Sequence, residues 1–188
     1  MLINVKLKKQ EIGIVIKQDM SEKLAKIAYL SIGSNLGNKK KNIELIKFKL
    51  QDKYTMIIKS SRNYQSISWP DKKKPNFINA VLKIKTLLSP QDLIIKCLNI
   101  ETQLGRIRNK KNEPRICDID IIDYDKRVLK ISKKPKLTLP HTQMHKRNFV
   151  LLPLFEITKT WIHPIMKISV QDLINSLKTQ DLRTIKLI

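Results

Sequence analysis

Cysteine is scarce in this chain of 188 residues: Cys97 and Cys117 are the two present, they lie far apart, and they match no metal-ligand spacing. Cys97 falls on the apolar face of a predicted helix and Cys117 in an apolar strand. Both are expected to be small buried hydrophobes, in keeping with a reducing cytoplasm. Long apolar runs are also missing, since none approaches the ~20 residues a bilayer-spanning helix needs. The opening MLINVKLKKQ lacks the apolar core and cleavage site of a signal peptide. The expectation is a soluble cytoplasmic protein with no membrane partner. Acidic residues are few, 16 against 38 Lys and Arg, which leaves a formal net charge of +22. Such an excess predicts attraction to polyanions. Lysine carries most of it, however, and is scattered through Lys39–Lys41, Lys72–Lys74, Lys110–Lys111 and Lys133–Lys134. Aromatics make up only 5% of the chain, whereas RNA-binding faces interleave them with basic residues. Diffuse solvated charge is therefore expected, with no dedicated nucleic-acid partner.

The remaining composition supports a folded core. The chain is 41% hydrophobic, and its length suits one domain. Residues 1–26 do not resemble the rest of the chain and read as an N-terminal extension. Residues 27–188 contain no repeat or linker and read as a single domain. Ile27–Ile32 is a compact apolar run expected to form a buried strand. It breaks at the turn-rich Gly33-Ser34-Asn35-Leu36-Gly37, after which Asn38 suits the cap of a helix burying Ile43, Ile46 and Leu50. This strand–turn–helix lacks both the Gly-Lys-Ser/Thr ending of a phosphate loop and the third glycine of a dinucleotide fingerprint. Tyr54–Tyr64 and Phe77–Thr86 read as strands separated by a polar loop, Gln65–Asn76, that holds Trp69-Pro70. Asn79 interrupts the second of these strands and must find hydrogen-bond partners there, either in a structural network or on a ligand.

Leu88–Gly105 is the best-punctuated helix, with Ser89 as cap, Pro90 at the first position, Asp92 at the third and Gly105 as its stop. Leu93, Cys97, Ile100 and Leu104 form its buried face; Glu101, close to a basic loop, reads as an exposed helix charge, though its position also suits a ribose or arginine contact. Further on, Val128–Ile131 suits a short hairpin arm, and His141 is held rigidly behind Pro140. Phe149–Phe155 reads as an apolar strand or turn, and Ser169–Asp172 as the capping box of a last helix ending at Leu177.

The chemistry concentrates in GRIRNKKNEPRICDIDIIDYD. Arg106, Arg108 and Arg115 occupy a basic loop that runs into a strand carrying Asp118 and Asp120. Residues two apart on a strand point the same way, ~7 Å apart. Two carboxylates so placed suit hard cations that also retain phosphate oxygens, and guanidinium forks suit phosphate. D-x-D alone is a weak motif and equally fits an edge strand with solvated aspartates beside a surface loop.

The order of motifs is more specific. AYLSIGSNLG, FINAV, IETQLGRIR, PRICDIDIIDYD and LTLPHTQMHKRNFVLLPLFEI occur in that order and jointly resemble the 6-hydroxymethyl-7,8-dihydropterin pyrophosphokinase family, over roughly Lys26 to Ile168. The resemblance implies an α+β fold, a ferredoxin-like αβα sandwich with a mostly antiparallel central sheet. It also implies Mg-dependent transfer of pyrophosphate from ATP to the pterin hydroxymethyl group in folate biosynthesis, by a monomer whose partners are those two small molecules. On this basis Asp118 and Asp120 hold two Mg2+ ions, and Arg106 and Arg115 act with them in catalysis. Arg108, His141, Arg147 and Lys136 contact ATP phosphates, while Glu101, Ile121 and Thr138 lie where adenosine is held. Asn79 reads the pterin edge, Phe77 and Phe149 sandwich its ring, and Gly33 and Ser66 line the same pocket. Three departures stand out. Asn112-Glu113 replace the family's usual Trp-Gly, Ser66–Pro70 alters the pterin loop, and Lys136 stands where an arginine is common. The rival readings are a basic RNA-binding module on a ferredoxin-like fold and an inactive relative of the family.

Overall fold

The computed structural model describes residues 24–68, 71–106 and 113–188. Most of the N-terminal extension, Trp69-Pro70, Arg108 and Asn112 lie outside the described residues. Strand β1 (Lys26–Ser34) is followed by helix α1 (Lys39–Leu50), β2 (Thr55–Ser60), β3 (Tyr64–Ser66), β4 (Phe77–Thr86) and α2 (Pro90–Gln103). Next come β5 (Asp118–Tyr124), β6 (Leu129–Ile131), β7 (Leu137–Leu139), a 3-10 turn at Met144–Lys146, α3 (Asn148–Ile157), α4 (Val170–Asn175), α5 (Thr179–Leu182) and β8 (Ile185–Leu187).

The central sheet runs β5-β1-β4-β3-β8, with β2 also on β4, and all its described pairings are antiparallel. β6 and β7 form a separate two-stranded ribbon. Because successive strand residues face opposite sides, the apolar runs of β1 and β4 feed two cores. Leu30, Ile32, Ala80, Leu82, Ile84, Ile119 and Ile121 pack with Ile43, Ile46 and Leu50 of α1 and with Leu93, Cys97 and Ile100 of α2. Tyr29, Val81 and Ile122 pack on the other side with Val150, Leu151 and Leu154 of α3 and with Leu173 and Ile174 of α4. Helices thus cover both faces, as the α+β sandwich reading expects. The RNA-module reading needs a sheet face with aromatics open to bases, which this arrangement does not leave. Among the described residues no helix is long and apolar enough to cross a membrane.

The punctuation of α1 and α2 is as read. Asn38 Oδ1 accepts from Lys41 N, and Ser89 Oγ accepts from Asp92 N, each at 3.1 Å. Gly105, at φ +84°, closes α2 in a conformation that costs other residues strain. Four readings need correction. Tyr54–Tyr64 is two strands, β2 and β3, and β3 extends to Ser66 because its edge is paired by β8. Phe149–Phe155 lies within α3: a run that is apolar at every position has no amphipathic period to separate helix from strand. The last capped helix, α4, ends at Asn175, and α5 and β8 come after it. Glu101 is buried rather than exposed, with 2% of its surface accessible. Both cysteines are buried and unpaired, although Cys117 sits one residue ahead of β5 rather than within it.

Candidate active site

The register of the sheet builds the site. Gly33 on β1 is opposite Asn79 on β4 and also opposite Asp118 on β5, so the three stand in one row across the sheet. At ~4.8 Å per strand step, Asn79 and Asp118 lie about 10 Å apart with only a glycine between them. A Cβ on Gly33 would come within 2.8 Å of Asn79 Oδ1, a clash on the floor of the site. Asp120 projects from the same face of β5 two residues further on, opposite Ser31. Above this row lies a cavity of about 180 Å³ lined by Ser66, Ile67, Phe77, Asn79, Arg106, Arg115, Asp118, Asp120, Arg147 and Phe149.

One side of the cavity is charged. Arg106 Nη1 donates to Asp118 Oδ1 at 2.6 Å and to Glu101 Oε1 at 2.5 Å. Arg115 Nη1 reaches the same Asp118 oxygen at 3.5 Å. Arg147, at the head of α3, donates to Asp120 Oδ2 at 2.9 Å, and His141 Nε2 stands 3.9 Å from that oxygen. His141 is oriented by its backbone N–H on Ile122 O and by its Nδ1, which accepts from Gln143 N. Burial lowers the His141 pKa, against the opposing pull of Asp120, so the imidazole is neutral at pH 7. Burial and the neighbouring Asp120 push the Asp118 carboxyl upward, with Arg106 and Arg115 pulling the other way. Burial works to lower the Arg106 pKa, but Asp118 and Glu101 outweigh it and hold the cation more firmly. Arg115 Nε is a buried donor with no acceptor among the described residues. Orphaned donors of this kind mark a place for an anion.

The other side is flat and mixed. Asn79 Nδ2 donates to Ser66 Oγ at 2.9 Å, both groups being buried. The guanidinium of Arg115 lies 5.5 Å from the Phe77 ring and that of Arg147 lies 5.7 Å from the Phe149 ring. A planar heterocycle entering here meets aromatic rings and a fixed amide.

The sequence model of the 7,8-dihydro-6-hydroxymethylpterin-pyrophosphokinase (HPPK) family matches residues 29–159. The chain belongs to the HPPK family. A 2-amino-4-hydroxy-6-hydroxymethyldihydropteridine pyrophosphokinase of Aquifex aeolicus is 39% identical over 139 residues, which is 74% of this chain and 84% of that protein. A folic acid synthesis protein, FOL1, of Dictyostelium discoideum is 40% identical over 143 residues, 76% of this chain but 21% of that longer protein. The chain thus spans about a fifth of the length of such multi-part relatives. Among solved structures, the Plasmodium falciparum HPPK-DHPS wild type with pteroate superposes with a TM-score of 0.63 at 15% identity, covering 81% of this chain and 42% of that one. That likeness bears on the fold alone, and it agrees with the ferredoxin-like sandwich.

Of the residues singled out from the HPPK resemblance, Arg106, Arg115, Asp118, Asp120, Arg147, Ser66, Phe77, Asn79 and Phe149 line one cavity, and Gly33 lies in its floor. His141 adjoins Asp120. Glu101 sits behind Arg106, where its Oε1 also accepts from Ile119 N at 2.8 Å. The Ile121 side chain is in the core beneath α1 and α2, so only its backbone is available to a ligand. Lys136 and Thr138 are exposed near and on β7, away from the cavity lining. Ile67 also lines the cavity, and the sequence carried no signal for it beyond its place beside Ser66.

Proposed function

We propose that this chain transfers the β,γ-pyrophosphate of ATP to the hydroxymethyl oxygen of 6-hydroxymethyl-7,8-dihydropterin, releasing AMP. The new bond joins that oxygen to the β-phosphorus; the bond from the β-phosphorus to the α,β-bridging oxygen breaks, and that oxygen leaves with AMP. The observation that carries the reading is a single cavity with two carboxylates and three arginines on one side and a fixed amide with two aromatics on the other. Residues 27–188 are the unit that performs the reaction. The two buried, unpaired thiols suit a reducing cytoplasm.

On the flat side, Phe77 and Phe149 hold the pterin ring, while Asn79, steadied by Ser66, reads its edge. An amide offers a donor and an acceptor at fixed spacing, and a heterocycle lacking the matching pair would leave them unpaired. Gly33 keeps the floor open between the pterin edge and the aspartates. On the charged side, Arg106, Arg115 and Arg147 release their carboxylate partners to phosphate oxygens and stabilise the charge of the transferring group. His141, neutral and fixed by its own backbone bonds, adds a hydrogen bond to the phosphates. Arg108, Lys136, Thr138 and the Ile121 backbone are assigned to the nucleotide side from the family resemblance, and Glu101 supports that side through Arg106 and Ile119 N.

The donor set fits Mg2+. Asp118 and Asp120 provide hard oxygen ligands on one face, and Asp118 Oδ2 and Asp120 Oδ1 take no hydrogen bond from any described residue. Among the described residues no cluster of three or more His, Cys, Asp or Glu side chains is present, so Asp118 and Asp120 are the residues that would hold the ions. When bound, two such ions would supply charge neutralisation at the phosphates and orientation of the reacting oxygens.

The test is purified protein with ATP, Mg2+ and 6-hydroxymethyl-7,8-dihydropterin, with AMP and ADP measured separately. AMP that forms only with the pterin present is the expected result. ADP formation, or AMP formation indifferent to the pterin, overturns the proposal.

A further inference from the structure

The turn Gly33–Gly37 lacks the features of a phosphate loop, yet its middle residue is among the most completely used side chains near the site. Asn35 is 3% exposed. Its Oδ1 accepts from Arg115 N at 2.7 Å, while its own backbone N donates to Arg115 O at 3.0 Å. The two residues therefore exchange a pair of bonds, and Arg115 is gripped at both polar ends of its backbone. At the other end of the same carboxamide, Nδ2 donates to Pro75 O at 3.1 Å, two residues before Phe77. The turn is anchored in its turn by α1: Asn42 Nδ2 donates to Ser34 Oγ at 3.0 Å and to Leu36 O at 2.9 Å. Lys39 Nζ adds a bond to Asn76 O at 3.1 Å.

The side chain of Arg115 is loosely held by comparison. Its contact with Asp118 is 3.5 Å long, and its buried Nε has no acceptor among the described residues. What fixes Arg115 is therefore its backbone, and what fixes the backbone is Asn35. We propose that Asn35 is a positioning residue: it sets Arg115 against the phosphates and ties that arginine to the chain entering Phe77, so that the phosphate and aromatic sides of the cavity keep one geometry. This rests on the pyrophosphoryl-transfer reading above. A carboxamide is required because an acceptor must face Arg115 N while a donor faces Pro75 O. A carboxylate supplies only the first, and alanine supplies neither.

The experiment is a double-mutant cycle on the full chain, comparing wild type, Asn35→Ala, Arg115→Ala and the double variant, with AMP formation and thermal melting read for each. Loosening a transition-state contact by about an ångström costs on the order of 10- to 100-fold in rate, and Asn35→Ala should lower kcat by that amount at a nearly unchanged pterin KM. In the Arg115→Ala background the same change should cost less than about twofold, because the group being positioned is gone. Asn35→Asp retains the acceptor for Arg115 N but not the tie to Pro75, and its kcat should fall between wild type and Asn35→Ala. If Asn35→Ala does not fold, the cycle is run with Asn35→Asp and Arg115→Ala, and the same non-additivity is required. Additive losses, or a wild-type kcat in Asn35→Ala, overturn the positioning role while leaving the reaction intact. An inactive wild type overturns both, and is distinguished because it appears before any substitution is made.

Discussion

Glu101 offers the sharpest separation between a structural carboxylate and a ligand contact. One of its oxygens, Oε1, serves two buried donors: Arg106 Nη1 at 2.5 Å and Ile119 N at 2.8 Å. Glu101→Ala takes that acceptor from both donors. Breaking a buried ion pair by deleting one partner costs about 3–5 kcal/mol, and leaving a buried N–H unpaired costs about 1–3 kcal/mol. Arg106 retains Asp118 at 2.6 Å, which favours the lower end of the first range. A net loss of roughly 4–6 kcal/mol is expected for alanine. Glu101→Gln keeps a neutral acceptor in place and loses only the charge assistance, about 1–1.5 kcal/mol. At this chain length 1 kcal/mol moves Tm by about 2–4 °C, so calorimetry should show a drop of roughly 8–24 °C for alanine and about 2–6 °C for glutamine. Isothermal titration with a non-hydrolysable ATP analogue supplies the contrast. If Glu101 chiefly holds Arg106 and β5, ATP affinity in Glu101→Gln stays within a few-fold of wild type. An alanine variant that melts with wild type, or a glutamine variant that is stable yet blind to ATP, would refute this and make Glu101 a nucleotide contact.

Asp120→Ala should abolish nearly all AMP formation while the melt stays close to wild type, since this carboxylate is partly exposed and, among the described residues, is paired with Arg147 and adjoins the neutral His141; near-normal turnover would remove the metal assignment. Asn79→Ala should weaken pterin binding on the order of 10- to 100-fold, the loss of one or two buried hydrogen bonds, with ATP-analogue affinity unchanged; an equal loss of both ligands would mean that the cavity is mapped wrongly. Acid stability should report His163, whose buried Nδ1 accepts from Ile165 N and Met166 N. Burial, and then the nearby His145, lower its pKa in the fold, so the unfolded chain binds the proton first, near pH ~6.5. The stability that its neutral form contributes is complete above that pH and is lost as pH falls through the lower folded value. Melts from pH 8 to 5 should therefore steepen below about 6.5 in wild type and flatten in His163→Gln; identical profiles would exclude His163 as the source.

What could be read from the sequence was whatever is decided locally. β4 runs from Phe77 to Thr86 as its β-branched content suggests, and the caps of α1 and α2 act at the residues expected, because a cap is a bond across three positions. The Asp118/Asp120 pair shares a face because strands alternate. The misreadings have a common cause in contacts that spacing does not encode. From Phe149 to Phe155 α3 is apolar at every position and carries Pro153 inside it, which removes the polar stripe that marks an amphipathic helix and adds a strand-like break. Glu101 looked exposed because a carboxylate is seldom buried alone; it is buried because Arg106, one turn and a glycine later, folds back onto it. β3 reaches Ser66 only because β8, at the far end of the chain, covers its edge.

For the same reason the residues of the site were legible while its shape was not. Gly33, Asn79 and Asp118 come from three distant stretches, and each is ordinary at its own position: a glycine in a turn, an amide in a strand, an aspartate after a basic loop. Their meaning comes from register, which sets all three in one row and makes the missing Cβ of Gly33 the space between an amide reader and a carboxylate. Register is fixed by the two apolar cores, since a slip of one residue would carry Leu30, Ile32, Ala80 and Leu82 from the core under α1 and α2 to the opposite face and turn Asn79 into that core. The hydrophobic alternation that stabilises the sheet is therefore also what aligns the site, so core substitutions in β1 or β4 that permit a register shift should cost the pterin side of the cavity before they cost the fold.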